Sequence, residues 1–302
     1  MHLLKLQDLS KKQINEILNL ADQLKFEKKN GIDHPLLKNK RLGMIFSKAS
    51  TRTRVSFEVG MYDLGGSALF LSARDLQIGR GEPVQDTARV LSRYLDGIMI
   101  RTFEQKEVED LAKYGSIPVI NGLTDYCHPC QVLADLMTIR EYFGGLEGNK
   151  LCYIGDGNNM TNSLIVGGIK MGMEVSVACP KGYEPDAKIM EWAKKNGKFT
   201  CTESVEEAVA GATVLYTDVW ASMGQEAEAE ERKKIFKNYQ INSGVMAVAD
   251  KKALVLHCLP AHREEEITSE VFEAHANEIF DQAENRLHVQ KAVLVKCLSK
   301  HK

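Results

Sequence analysis

The chain is expected to be an α/β protein of two domains, each a mostly parallel sheet covered by helices. Three observations predict this class. Short aliphatic or β-branched runs alternate with amphipathic stretches; the alternation restarts after Gly144-Gly145; and polar residues able to do chemistry gather where the apolar runs end. A length of 302 residues exceeds one comfortable core and suits two domains of roughly 150 residues each.

The opening helix is signalled by Ser10 with Gln13, a capping box, followed by an apolar stripe of Ile14, Ile17, Leu18, Ala21 and Leu24. Strands are expected at Leu42 to Phe46, Ala68 to Leu71, Gly97 to Ile100 and Pro118 to Asn121, with helix-like segments between them. One such segment carries Val55, Phe57, Val59, Met61 and Leu64 behind a hydroxyl-rich start. Val132 to Phe143 reads as a longer helix ended by Gly144-Gly145, which bounds a first domain at residues 1–143. A second series runs through Leu151 to Ile154, Glu174 to Ala178, Thr213 to Tyr216 and Leu254 to His257, giving a second domain over 150–286. There is no internal repeat and no low-complexity tract.

Composition narrows the function classes. Hydrophobic residues make up 44%, charged residues 26%, and the net charge is -2. No basic stripe recommends nucleic acid, so an anionic ligand should be small and held locally. The N-terminus, Met1-His2-Leu3-Leu4-Lys5, lacks a long apolar core, and no run approaches the roughly 18 apolar residues of a membrane span. A cytoplasmic protein with no membrane partner is therefore expected. Seven scattered cysteines fit reduced thiols better than a disulfide framework.

The most informative stretch is Ser50-Thr51-Arg52-Thr53-Arg54, three hydroxyls and two guanidiniums between a strand and a helix. A helix opening there aims unpaired backbone N–H groups at whatever lies in front, and an arginine adds a fork for phosphate oxygens. Taken alone, the stretch is better accounted for by a capped helix with solvated arginines, since surface arginines are common. Other strand ends supply the company that favours an anion site: Arg101, His128 with Gln131, Asn158 with Asn159, Asp218 with Ser222, and His257 with Cys258. Singly, each has an ordinary explanation as an ion pair, a satisfied histidine or a small core residue.

Two sharper alternatives compete. Cys127-His128-Pro129-Cys130 follows a strand and opens a helix, the setting of a thioredoxin-like redox pair. It leaves the hydroxyl-arginine cluster and the second α/β half unexplained. Adding His257, Cys258 and His262 suggests zinc, but the spacings fit no standard pattern. Gly155-Asp156-Gly157 after a strand begins like a dinucleotide fingerprint; Met160 replaces its third Gly, and the next strand ends at Cys179-Pro180 without an acidic residue for a ribose.

Across almost its whole length the chain resembles the aspartate and ornithine carbamoyltransferases. Ser50 to Arg54, Arg101 and His128-Pro129-Cys130-Gln131 are similar to that family's carbamoyl phosphate site. Asp218-Val219-Trp220-Ala221-Ser222-Met223-Gly224, His257-Cys258-Leu259-Pro260 and Glu284-Asn285-Arg286 resemble its ornithine branch. The aspartate branch usually carries a lysine in its neighbour-facing loop, whereas Leu76 to Pro83 has none. One departure is Arg263 before three glutamates, where many relatives have Gly, a change that bears on the flexibility of that loop.

The resemblance implies transfer of a carbamoyl group from carbamoyl phosphate to L-ornithine, giving L-citrulline and phosphate, with no cofactor and no metal. It implies that Ser50, Thr51, Arg52 and Thr53, with Arg101, hold the phosphate. Arg101, His128 and Thr53 polarise the carbamoyl oxygen; Gln131, the backbone at Cys258 and Leu259, and Arg286 orient the amide. By the same resemblance Asp218 and Cys258 flank the reacting amine, and Asn159, Ser222 and Met223 fix the amino-acid end. It further implies a C-terminal helix, residues 287–302, packed on the first domain, and a homotrimer in which Gln77 enters a neighbour's site. A relative using putrescine, the degradative direction and a noncatalytic binding protein are the alternatives; the short chain favours synthesis.

Overall fold

A computed structural model describes residues 1–221 and 226–299; the expected site residues Ser222 and Met223 lie outside the described residues. The chain divides into two compact units. One comprises residues 1–137 with the chain from Glu284 onward, the other Thr138–Ala283.

In the first unit, α1 (Lys11–Lys29) opens with the capping box: Gln13 N donates to Ser10 Oγ at 3.2 Å and Ser10 N donates to Gln13 Oε1 at 2.9 Å. Its stripe Ile14, Ile17, Leu18, Ala21 and Leu24 is wholly buried. Then follow β1 (Arg41–Phe46), α2 (Thr51–Asp63), β2 (Ser67–Ser72), α3 (Val84–Tyr94), β3 (Gly97–Arg101), α4 (Gln105–Tyr114) and β4 (Val119–Leu123). The four strands are parallel in the order β2-β1-β3-β4. Inner strands β1, after exposed Arg41, and β3 run as buried residues, as a sheet covered on both faces requires, and edge strand β4 is buried too, with Leu3 bridged to its Ile120. The outer strand β2 is mostly exposed or half-exposed.

α5 (Pro129–Phe143) leads into the second unit, where β5 (Lys150–Ile154), α6 (Asn159–Lys170), β6 (Glu174–Ala178), α7 (Ala187–Asn196), β7 (Phe199–Thr202), α8 (Val205–Val209) and β8 (Val214–Thr217) alternate. α9 (Ala229–Phe236), α10 (Ser243–Val248), β9 (Leu254–His257) and α11 (Ser269–Ala274) complete it. This sheet is also parallel, in the order β7-β6-β5-β8-β9. β7 was not legible in the sequence because Phe199-Thr200-Cys201-Thr202 is a short, largely polar edge strand.

The last helix, α12 (Ala276–Leu298), begins eleven residues before the expected 287 and rejoins the first unit from Glu284. There it packs on α1 and α2. Lys25 Nζ donates to Asn285 Oδ1 at 2.8 Å, and buried Lys291 donates to Leu24 O at 3.4 Å. Gly60 sits under the same side chain: a Cβ there would meet Lys291 Cγ at 3.2 Å.

The strand orders locate the ligand ends. In an open parallel sheet, helices leave opposite faces at the point where strand order reverses, which opens a crevice at the carboxyl ends. That point lies between β1 and β3 in one sheet and between β5 and β8 in the other.

Candidate active site

In the first unit the β1 to α2 turn places Ser50 at the N-cap of α2, where its hydroxyl accepts from Thr53 N at 3.2 Å. The first-turn amides of α2 and their dipole therefore sit at the reversal point, a setting that favours an anion. Neighbouring loops are tied to it: Ser47 N donates to Arg101 O at 2.9 Å, and Asp125 N donates to Phe103 O at 2.9 Å. Lys48, which sequence reasoning passed over, is buried, lies 4.3 Å from the centre of the Phe103 ring and pairs with Asp125. Three strand-end loops are thus fastened together around the helix start.

Four of the expected residues are brought together behind that turn. Arg286, from α12, donates to Gln131 Oε1 at 2.6 Å, to Thr53 Oγ1 at 3.1 Å and to Gln290 Oε1 at 2.9 Å. Gln131 donates to Asp135 Oδ1 at 2.9 Å, which fixes which end of its amide faces Arg286. His128 is buried beside them. Burial, then the charges of Arg286, Arg101 and Arg52, hold it well below the usual histidine pKa, so it is a neutral imidazole at neutral pH. Arg101 ends β3, itself buried, at a register shift against β4.

Arg54 is not part of this cluster. Its guanidinium stacks 3.8 Å from the centre of Phe70 on β2 and bonds Glu58 at 3.2 Å. Gln77 lies apart too, exposed in the 3-10 turn Gln77–Arg80 after β2. Burial pushes the Cys127 and Cys130 thiols up to about 12, the opposite of the lowered value that a C-x-x-C redox pair uses.

In the second unit the centre is Asp218, after β8. Its carboxylate accepts from Asn158 Nδ2 at 3.0 Å, Val219 N at 2.8 Å and Cys258 Sγ at 3.0 Å. Asn158 is also the N-cap of α6, accepting from Met160 N and Thr161 N, and Asn159 is the first residue of that helix. Sequence reasoning put weight on Asn159; Asn158 is the one bonded to Asp218. Gly155-Asp156-Gly157 serves packing, since a Cβ on Gly157 would meet the backbone of Glu184 and Pro185 at 2.3 Å.

A second partnership had no local signal in the sequence. Arg232 of α9 pairs with Asp156 and donates to Trp220 O at 2.5 Å, pinning the backbone just before residue 222. Burial raises the Asp156 pKa to about 6, against the opposing pull of Arg232.

Leu259 has a left-handed φ of 59°, and its N–H donates to His257 Nδ1 at 2.9 Å. The other ring nitrogen, Nε2, lies 2.9 Å from buried Glu266. Among the described residues, Asp218, His257 and Cys258, and separately His262, Glu265 and Glu266, have donor atoms close enough for a metal. Both His257 nitrogens are already engaged by protein groups, as is the Cys258 thiol. Arg263 stacks 4.3 Å from the centre of Phe272 and pairs with Glu273, which fastens its loop to α11.

Two family models match in succession: "Aspartate/ornithine carbamoyltransferase, carbamoyl-P binding domain" over residues 1–141 and "Aspartate/ornithine carbamoyltransferase, Asp/Orn binding domain" over 147–297. A protein of Carboxydothermus hydrogenoformans named ornithine carbamoyltransferase is 56% identical over 296 residues, covering 96% of this chain and 95% of its own length. The solved ornithine carbamoyltransferase of Pyrococcus furiosus superposes with a TM-score of 0.96 at 54% identity, over 100% of this chain and 98% of that one. An anabolic ornithine carbamoyltransferase of Campylobacter jejuni gives 0.91 at 44% identity, over 97% of each chain.

Proposed function

Since the chain belongs to the aspartate/ornithine carbamoyltransferase family, we propose that it moves the carbamoyl group of carbamoyl phosphate to the side-chain amine of L-ornithine, in the direction of arginine synthesis. The observation that carries the choice of acceptor is the Asp218 carboxylate with the Cys258 thiol 3.0 Å away. An anionic group held by three donors suits an amine or ammonium and repels the second carboxylate of aspartate.

In this reading Ser50, Thr51, Arg52, Thr53 and Arg101 hold the phosphate and take up its charge as the bond from the carbonyl carbon to the phosphate oxygen breaks. Neutral His128, with Arg101 and Thr53, polarises the carbamoyl oxygen. Gln131, Arg286 and the backbone at Cys258 and Leu259 hold the amide, with Asn159, Ser222 and Met223 at the amino-acid end. The amine nitrogen must shed a proton before it attacks, because an alkylammonium titrates near about 10.4. Asp218 and Cys258 steer it and assist that proton's departure. A carbon–nitrogen bond then forms, and phosphate leaves.

A homotrimer belongs to the same reading, with Gln77 reaching a neighbour's carbamoyl phosphate. Support comes from helix α2, whose solvent side carries Val55, Val59 and Tyr62 at 51%, 37% and 82% exposure. A cluster of that kind marks a contact surface. Among the described residues no helix is long and apolar enough to cross a membrane; a cytoplasmic compartment is part of the same proposal.

The test is citrulline formation from carbamoyl phosphate and ornithine, with aspartate and putrescine as competing acceptors. Preference for aspartate or putrescine sinks the choice of acceptor. No turnover with any of them removes the transferase reading.

A further inference from the structure

Away from both clusters, two thiols meet at the edge of the second sheet. β6 and β7 pair with Val177 opposite Cys201 and Ala178 opposite Thr202; Cys179 N continues the ladder to Thr202 O at 3.1 Å. Cys179, two residues beyond Val177, therefore faces the same side as Cys201. Their sulfurs are 3.7 Å apart. A disulfide needs about 2.05 Å between sulfurs, and because the two residues are diagonal neighbours in the register, closure takes a shift of the β7 backbone as well as of the side chains. β7 is the outermost strand of its sheet, with no further strand paired to its outer edge among the described residues.

We propose that Cys179 and Cys201 are a reversible oxidation site whose two thiols become one intramolecular disulfide on reaction with a hydroperoxide. Cys201, partly exposed, is the attacking residue, and buried Cys179 the resolving one. The Cys201 thiolate attacks the outer peroxide oxygen; the oxygen–oxygen bond breaks, an alcohol or water leaves, and Cys201 becomes a sulfenic acid. The Cys179 sulfur then attacks that sulfur. A sulfur–sulfur bond forms, the sulfur–oxygen bond breaks, and hydroxide leaves with the Cys179 proton as water. Two thiols lose two electrons, and the hydroperoxide gains them.

The surroundings support this division of labour. Hydrogen bonding from Cys179 draws the Cys201 thiol below its usual pKa against the opposing pull of burial and Glu184, with Lys194 as a smaller aid, while the same contact and burial push Cys179 well above. Burial pushes Cys127, Cys130, Cys152 and Cys297 up to about 12, which leaves them poor nucleophiles. Neither Cys179 nor Cys201 belongs to the proposed transferase machinery, so the site stands apart from that reading.

The experiment treats the full chain with one equivalent of hydrogen peroxide, then counts thiols under denaturing conditions and maps non-reduced peptides by mass. Two of the seven free thiols should disappear, with the Cys179 and Cys201 peptides joined, and dithiothreitol should restore all seven. Cys201→Ala should abolish the joined peptide. Cys179→Ser should halt at a Cys201 sulfenic acid that a cyclic 1,3-dione captures. Retention of all seven thiols, or oxidation without the Cys179 to Cys201 link, overturns the proposal.

Discussion

Arg286 donates to Gln131 Oε1 at 2.6 Å, joining residues 155 positions apart in the chain. The bond settles the direction in which the Gln131 amide points, because its other end is committed to Asp135. It also makes Arg286 a structural hub, with Thr53 and Gln290 as further acceptors.

Arg286→Met should therefore cost stability as well as turnover. Leaving buried partners unmatched costs about 1 to 3 kcal/mol each, so a loss of about 2 to 5 kcal/mol is expected in urea unfolding. Wild-type stability in this variant would show that the buried network relaxes freely.

Arg52→Ala should behave differently. Arg52 is only half-buried at the start of α2, so the fold should survive. Each charge-assisted hydrogen bond lost is worth about 1.5 to 3 kcal/mol, a fall in kcat/KM for carbamoyl phosphate of about ten- to a hundredfold. Unchanged kinetics would remove Arg52 from the phosphate site.

Acid stability should report on buried histidines. His128 lies well below the usual value, and burial lowers His288 to about 4, against about 6.5 in the unfolded chain. The unfolded chain then binds the extra protons, so their stability contribution is full above pH about 6.5 and is lost as pH falls toward about 4. His288→Gln should flatten the slope of unfolding free energy against pH over that window, and an unchanged slope would mean that His288 is not held neutral.

Turnover at limiting ornithine should climb through the alkaline range as the free amine becomes available. Cys258→Ala should impair it while carbamoyl phosphate binding, read by calorimetry, persists. Full activity with the same pH profile would reduce Cys258 to packing.

Hybrid assembly tests Gln77. Arg52→Ala and Gln77→Ala subunits, each impaired alone, should together exceed the activity of either parent after dissociation and mixing, since hybrid trimers contain some sites with both residues intact. Verified hybrids without recovery would confine Gln77 to its own chain or to no role.

Local signals in the sequence translated well. The Ser10 box, the stripe of α1 and the inner strands appear where capping and burial patterns put them, because those patterns act within a few residues. What the sequence hid depends on distance: Arg232 meets Asp156 across 76 positions, and Arg286 meets Thr53 across 233. Val55 and Val59 belong to the helix that the sequence foresaw. Their spacing fits α2, yet Phe57 and Met61 face the core and the two valines do not. Helical spacing by itself cannot tell which apolar residues face inward. The bond from Asn158 to Asp218 is of the same kind, since only the fold brings positions 60 residues apart together.

The split of the first unit across both ends of the chain has a consequence for synthesis on the ribosome. Residues 1–137 emerge first, but the helix segment that carries Arg286 emerges only after the whole of Thr138–Ala283 has been translated. The second unit can fold as it leaves the exit tunnel, whereas the first must wait with part of its interior uncovered. A nascent chain stalled before Glu284 thus lacks the guanidinium that orders Gln131 and Thr53, and exposes apolar surface that a chaperone can read as unfinished.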